Sequence, residues 1–231
     1  MRLDKFLCEM NIGSRSEVKQ LLKAGLVQVN GAIVKKPEQK IDPNRDVVLY
    51  KGQRLEYSQF YYYMLNKPDG VVSATCDNTA PTVISLLGEH AREDIFPVGR
   101  LDKDTTGLLL LTNDGALAHQ LLSPKKHVDK TYYVTTRFPV NQAQLNMLEN
   151  GVDIGEEKKT LPAKAELIDA NHLYLTIQEG KFHQVKRMLQ AVDNGVTALK
   201  RVAFGPLSLD PNLSLGEYRV LTEEEIQLLK R

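Results

Sequence analysis

A ten-residue string in the middle of the chain constrains the fold more than any other feature. Residues 99–108 read Gly-Arg-Leu-Asp-Lys-Asp-Thr-Thr-Gly-Leu and lead into an apolar run, residues 108–111, which is closed by Asn-Asp-Gly. This pattern predicts a short buried strand that ends in a turn. Asp102 is then expected on a loop packed against a core, where an isolated charge is costly and must be paired or neutralised. A surface charge in a turn is the alternative that the residue type alone leaves open.

Length and composition limit the classes of protein to which this chain can belong. Its 231 residues suffice for one large domain, or for a medium domain with a small one attached. No apolar run approaches the length that spans a membrane, and the first residues are not followed by a secretory stretch. Cys8 and Cys76 are too few and too far apart for a disulfide framework or a thiolate metal site, so a reducing cytoplasm is the expected compartment.

Charge is unevenly distributed along the chain. The net charge of +1 does not by itself indicate nucleic-acid binding. The first sixty residues, however, hold 11 Lys or Arg against 7 Asp or Glu, whereas the segment from Leu207 onward is acidic. The N-terminal region is therefore the better candidate for a contact with an acidic partner.

The first 58 residues predict two helices followed by a β-hairpin. Apolar residues recur at helical spacing over residues 3–10, and Ser14 with Glu17 forms a capping box that begins a second helix. Gly25 is placed to end that helix in a left-handed conformation. Two short strands then flank Asn30-Gly31, a dipeptide typical of a two-residue hairpin turn.

Three basic residues lie four apart on the second predicted helix, on the side away from its apolar face. They are Arg15, Lys19 and Lys23. Such a stripe suits contacts with phosphates, which supply affinity with little sequence choice. An ordinary solvated helix face has the same spacing, so the spacing alone does not decide between the two.

Residues 59–231 predict a second domain in which strands and helices alternate. Strands are predicted over residues 61–65, 108–111, 132–136 and 173–177, and helices over residues 182–191 and from Thr222 onward. The region has no glycine-rich phosphate loop and no regular strand–helix–strand repetition. It therefore predicts an α+β fold with a mostly antiparallel mixed sheet flanked by helices. Residues 56–59 are the expected linker.

Metal binding is an alternative for the acidic pair Asp102 and Asp104. No third acidic ligand or histidine stands near them in the sequence. The five histidines are scattered and include no pair four residues apart of the zinc type. We therefore expect no metal site.

Several strings in the chain resemble a known family. The first fifty residues resemble the S4 RNA-binding domain, which implies an RNA-binding domain over residues 1–58. Leu-Asn-Lys-Pro-Asp-Gly at 65–70, Lys-Thr-Tyr at 130–132, Gly-Lys-Phe-His-Gln-Val-Lys-Arg-Met at 180–188 and the string at 99–108 resemble bacterial pseudouridine synthases of the RsuA type. This resemblance implies an enzyme whose catalytic domain covers residues 59–231.

The resemblance also implies roles for individual residues. Asp102 matches the catalytic aspartate, Tyr132 matches a tyrosine that lies beside it and stacks on the target base, and Lys186 matches the cation that pairs with it. Arg100 is a second candidate for the partner of Asp102, or for a contact with a phosphate. For His183, a hydrogen bond to the backbone and a contact with RNA both remain open. RNA contacts are expected from Arg2, Lys5, Arg15, Lys19, Lys23, Arg100, Lys181, His183 and Arg187. Residues 65–70 are expected to support the cleft.

The implied reaction detaches uracil from C1′ of the ribose, rotates it and rejoins it through C5, which requires no cofactor, metal or energy source. The base must first be flipped out of the RNA. Attack of Asp102 at C1′, attack at C6 and removal of the 2′ proton all remain open. The expected partner is ribosomal RNA of the small subunit, free or in an assembling particle, with no membrane and a monomeric enzyme. A large-subunit synthase and a non-catalytic RNA-binding or ribosome-assembly protein are the alternatives.

Overall fold

The computed structural model describes residues 1–55 and 57–231, which divide into two units, residues 1–59 and 60–231. Glu56, the first residue of the expected linker, lies outside the described residues. Within the described ranges, none of the helices is both long and apolar enough to cross a membrane.

The first unit contains two helices and a small sheet, as predicted. Its elements are α1 (Leu3–Glu9), α2 (Arg15–Lys23), β1 (Val27–Val29), β2 (Ala32–Ile33), β3 (Val48–Tyr50) and β4 (Gln53–Arg54), with the strands in the order β2-β1-β3-β4. The capping box of Ser14 and Glu17 is present, and Gly25 has a φ of +72° just after α2. Asn30 and Gly31, at φ of 51° and 81°, form the turn between β1 and β2.

The core of this unit determines which face of α2 meets solvent. Val18 and Leu22 on α2 are fully buried and pack with α1 and β1 through side chains such as Phe6 and Val27. Because these residues occupy one side of the helix, the basic residues predicted at four-residue spacing are exposed on the other.

The second unit is built around one large sheet. Its strands are β5 (Tyr62–Lys67), β6 (Phe96–Pro97), β7 (Thr106–Thr112), β8 (Lys130–Thr136), β9 (Lys164–Asp169), β10 (His172–Ile177), β11 (Val196–Phe204), β12 (Leu207–Ser208) and β13 (Tyr218–Val220). Seven of them follow the order β13-β5-β7-β11-β8-β10-β9, while β6 pairs with β7 and β12 with β11. Strands β7 and β11 are parallel and the other pairs are antiparallel, which confirms the predicted α+β class.

Helices cover both faces of this sheet, so its central strands are buried on both sides. They are α3 (Gly115–Leu122), α4 (Gln142–Glu149), α5 (Gln184–Ala191) and α6 (Glu223–Leu229), with 3₁₀ turns at Ser85–His90 and Pro124–Lys126. Leu109 and Leu111 of β7 pack on the side of α4 and α5, whereas Leu108 and Leu110 pack on the side of α3 and α6. Helices α3 and α4 are not among the elements predicted from the sequence. The Asn-Asp-Gly turn is also the start of α3, because the Asp114 side chain accepts a hydrogen bond from the Leu117 amide and caps it.

One glycine brings the central parallel pair of strands together. Gly107 has a φ of +100°, and a Cβ atom at this position would collide with the backbone of Arg201 on β11. Only glycine tolerates both the conformation and the close approach. The loop that precedes β7 is thereby held against the middle of β11.

Candidate active site

A cleft of about 650 Å³ opens beside the start of β7. Its walls come from the loop that carries Asp102, from β8 and β11, and from the segment that leads into α5. The lining residues used below are Arg100, Asp102, Lys130, Tyr132, Leu161, Lys181, His183, Arg201 and Phe204. A volume of this size is typical of sites that bind small molecules or single nucleotides.

The loop bearing Asp102 is anchored to the core on both sides of that residue. The Leu101 amide donates to Ser73 Oγ at 3.0 Å, and the same hydroxyl donates to the Leu101 carbonyl at 2.9 Å. The Thr105 amide donates to the Asp102 carbonyl at 3.1 Å. The Asp102 side chain itself is 27% exposed, so the expectation that water is scarce around it was too strong. The backbone is fixed while the carboxylate reaches into the open cleft.

Lys186 is shared between two carboxylates. Its Nζ lies 2.9 Å from Asp102 Oδ2 and 2.6 Å from Asp104 Oδ1. Burial by itself lowers the pKa of Lys186, but hydrogen bonds to Asp104 and Asp102 outweigh it and the pKa is raised. The hydrogen bond from Lys186 likewise lowers the pKa of Asp104. Arg100, the other candidate partner, is exposed on the cleft wall and forms no ion pair with Asp102 in the described part of the chain.

A histidine that is remote in the sequence stands beside Asp102. His183 Nε2 lies 3.5 Å from Asp102 Oδ1, and the ring stacks on Phe182 with centroids 3.8 Å apart. His183 has a left-handed backbone with a φ of 49° and immediately precedes α5. Sequence proximity could not reveal this contact. Among the described residues, no group of three or more acidic, histidine or cysteine side chains could hold a metal ion.

Lys67 holds the Asp102 loop through hydrogen bonds to backbone carbonyls. Its side chain is fully buried, and Nζ donates to the carbonyls of Pro68 at 3.0 Å, Lys103 at 3.0 Å and Thr105 at 2.9 Å. Burial lowers its pKa from 10.5 to about 8. Residues 65–70 are predicted from the sequence to support the cleft, but Lys67 is not singled out among them. The available signal for its burial was its place at the end of an apolar strand.

Replacing Lys67 by Met should destabilise the protein and slow turnover. The change leaves buried carbonyls without a donor, at a cost of about 1–3 kcal/mol, and loosens the loop that holds Asp102. Because the pKa is depressed in the folded protein, the unfolded chain binds this proton more tightly. The stability of the wild type should therefore rise relative to Lys67→Met between about pH 8 and pH 10.5. Urea unfolding at several pH values measures this difference, and a difference that does not change with pH would refute the assignment.

The opposite wall of the cleft is formed by neighbouring residues of β8 and β11. Tyr132 on β8 is 8% exposed and lies directly across from Arg201 on β11 in the sheet register. Arg201 is 2% exposed and donates from Nε to the Leu108 carbonyl at 2.8 Å. Tyr132 is among the site residues predicted from the sequence, and Arg201 is not.

The basic residues predicted near the cleft differ in how far they are already paired. Lys181 Nζ lies 3.2 Å from Glu179, and Arg187 Nη1 lies 2.9 Å from Glu156 Oε1. Arg187 also donates to the Ile154 carbonyl. Lys181 Nζ also donates to the Lys158 carbonyl at 3.4 Å, so both cations bind the segment of residues 154–158.

The basic residues of the first unit also fall into two groups. Arg2 pairs with Asp4 at 2.7 Å, and Lys5 pairs with Glu9 at 3.6 Å. Within the described ranges, the three basic residues of α2 are exposed and form no ion pair.

Comparison with known proteins assigns the chain to a family. Residues 61–191 match the family described as RNA pseudouridylate synthase, and residues 1–47 match the S4 domain. The chain belongs to the RNA pseudouridylate synthase family. This confirms the predicted enzyme class and the S4 domain at the N-terminus.

Relatives match over nearly the whole length. The uncharacterized RNA pseudouridine synthase YtzG of Bacillus subtilis is 52% identical and matches 99% of this chain and 98% of its own length. The ribosomal small subunit pseudouridine synthases A of Vibrio cholerae and Escherichia coli K12 are each 43% identical, matching 98% of this chain and 98% of their own lengths. A crystal structure of a pseudouridylate synthase superimposes with a TM-score of 0.71 at 39% identity, over 99% of both chains. The resemblance to synthases of the RsuA type is thereby confirmed.

Proposed function

We propose that this synthase converts a uridine of small-subunit ribosomal RNA to pseudouridine and that Asp102 is its catalytic residue. The observation that carries the proposal is the Asp102 carboxylate, held by Lys186 in a cleft large enough for one nucleotide. The choice of RNA is supported by the relatives named for the small subunit, which match almost the entire chain at 43% identity.

The two predicted domains then have different roles. Residues 1–58 bind RNA and residues 59–231 carry the chemistry. We expect the enzyme to act as a monomer. The enzyme acts in the cytoplasm, on free ribosomal RNA or on an assembling particle.

The reaction proceeds on a uridine flipped out of the RNA stack into the cleft. Flipping costs a few kcal/mol and is easiest in a loop or single strand. Tyr132 stacks on the base, and ionised Asp102 starts the cleavage by attack at C1′ or C6 or by removal of the 2′ proton. The N1–C1′ bond breaks, a C5–C1′ bond forms, and the C5 proton leaves while N1 gains one. Lys186 Nζ, 2.9 Å from Asp102 Oδ2, holds the carboxylate that each of these routes uses.

Changing Arg15, Lys19 and Lys23 together to Ala should weaken RNA binding and flatten its dependence on salt, because fewer counterions are released. The ratio kcat/KM should fall more than kcat at saturation, since these residues lie outside the cleft. Filter binding across a salt series measures the slope. A matched control replaces Lys35, Lys36 and Lys40, which are exposed in the same unit. An unchanged slope in the α2 variant, or an equal change in both, would show that α2 is only a solvated helix face.

Tritium release tests the function directly. Purified protein is incubated with transcripts of small-subunit and large-subunit ribosomal RNA labelled with tritium at C5 of uridine. We expect release from the small-subunit transcript or from a partly assembled particle containing it. Release from the large-subunit RNA alone would favour the related large-subunit activity, and release from neither would favour a non-catalytic RNA-binding role.

A further inference from the structure

Arg201 lies on the wall of the cleft with its guanidinium group almost entirely buried. Its Nε donates to the Leu108 carbonyl at 2.8 Å, and its guanidinium lies 5.0 Å from the centre of the Phe204 ring. Its Nη2 is buried and has no hydrogen-bond partner in the described part of the chain. A buried polar group is ordinarily satisfied, so this donor requires an explanation.

A second buried cation, Lys130, contacts the same ring. Lys130 Nζ lies 5.6 Å from the centre of the Phe204 ring and donates to the Val128 carbonyl at 2.8 Å. Neither cation forms an ion pair with a carboxylate among the described residues. Burial lowers the pKa of Arg201, and the electrostatic attraction and hydrogen bonding of Tyr132 offset this only in part. Two unpaired cations in a buried wall are costly unless negative charge arrives there.

The proposed reaction places such a charge in this part of the cleft. When the N1–C1′ bond breaks, its electron pair passes to the uracil ring and is spread over the carbonyl oxygens O2 and O4. A base stacked on Tyr132 lies next to Arg201, because the two residues are directly opposed on neighbouring strands. A phosphate would more readily meet the exposed cations at the rim, such as Arg100.

Building on the proposed function, we propose that Arg201 donates a hydrogen bond from Nη2 to a carbonyl oxygen of the flipped uracil and stabilises the negative charge that develops as the glycosidic bond breaks. Arg201 keeps its proton throughout, and no further reactant is consumed. Donors aimed at a developing charge in a site of low polarity are worth roughly 10²–10³-fold in rate.

The first test is a single-turnover measurement of tritium release by Arg201→Met with enzyme in excess. We expect a rate about 100-fold below that of the wild type, with RNA affinity unchanged within about twofold. Lys200→Met removes a cation from the adjacent position of β11, whose side chain faces the other side of the sheet, and should leave the rate unchanged. Arg201→Lys keeps a positive charge at the site but lacks Nη2. It serves as the folded variant if Arg201→Met is unstable.

The second test separates a contact with the base from a structural role. Transcripts are made with 2-thiouridine or 4-thiouridine in place of uridine, because sulfur accepts hydrogen bonds less well than oxygen. One of the two substitutions should slow the wild type substantially but slow the Arg201 variant by a smaller factor, since the contact is already lost. The same slowing factor in both enzymes, or a wild type slowed by neither substitution, would overturn the proposal.

Two further outcomes have separate meanings. A variant that loses RNA affinity and salt dependence at an unchanged rate would show that Arg201 binds a phosphate, which also overturns the proposal. If the wild type acts only on large-subunit RNA, the proposed substrate is wrong, and the Arg201 comparison is then decided on that RNA.

Discussion

Asp102→Asn should reduce tritium release to background, a loss of roughly 10⁴-fold or more, while RNA binding is retained. Asparagine has the same shape but serves neither as a nucleophile nor as a base. The structure also indicates that this variant will fold, because Lys186 keeps its contact with Asp104 at 2.6 Å when the charge of Asp102 is removed. Single-turnover tritium release with filter binding in parallel separates the loss of chemistry from loss of the RNA complex.

Two aspartates provide graded controls for this result. Asp193→Asn removes an exposed carboxylate of the same domain that does not line the cleft, and it should leave the rate unchanged. Asp104→Asn removes one of the two partners of Lys186, so we expect a modest loss rather than an inactive enzyme. Substantial turnover by folded Asp102→Asn would exclude this residue from the mechanism.

Lys186→Met should lower both activity and stability, because it leaves two carboxylates facing each other without a cation. Loss of a charged hydrogen bond predicts a rate about 10- to 100-fold lower. With the Asp102 side chain 27% exposed, the destabilisation should be about 1–3 kcal/mol, below the 3–5 kcal/mol expected for a deeply buried pair. Lys103→Met, which removes an exposed cation of the same loop, is the matched control.

The pairing itself is tested by combining Lys186→Met with Asp102→Asn. The double variant should recover part of the stability lost in Lys186→Met, yet remain inactive. Free energies of unfolding that simply add would refute the pairing and make Arg100 the next candidate. Since Lys186 lowers the pKa of Asp104, its contribution through that carboxylate should be lost as the pH falls below the ordinary carboxylate value of 3.8. The raised pKa of Lys186 means that the difference between wild type and Lys186→Met persists up to about pH 10.5.

Local signals in the sequence were sufficient for much of the fold. The capping box of Ser14 and Glu17, the hairpin turn at Asn30-Gly31 and the cap of Thr222 over α6 each depend on residues a few positions apart, and all are present. The same rules, applied to Asn141 and Gln144, would have found α4, which the sequence analysis missed.

Features of the site that depend on distant parts of the chain were out of reach of such rules. Lys67, His183 and Arg201 reach the site only because separate strands and a helix converge there. The motif match identified Lys186 as a partner of Asp102, but it did not show that Asp104 shares the same amine. A single positive charge between two carboxylates is a property of the folded loop rather than of the string that encodes it.

Chemical mapping of pseudouridine in ribosomal RNA tests the role of Asp102 most directly, in cells that lack the gene and are complemented with the wild type or with Asp102→Asn. We expect that one pseudouridine of the small-subunit RNA disappears with the gene, returns with the wild type and does not return with Asp102→Asn. An unchanged small-subunit profile, or a site restored by the Asp102→Asn protein, would contradict it.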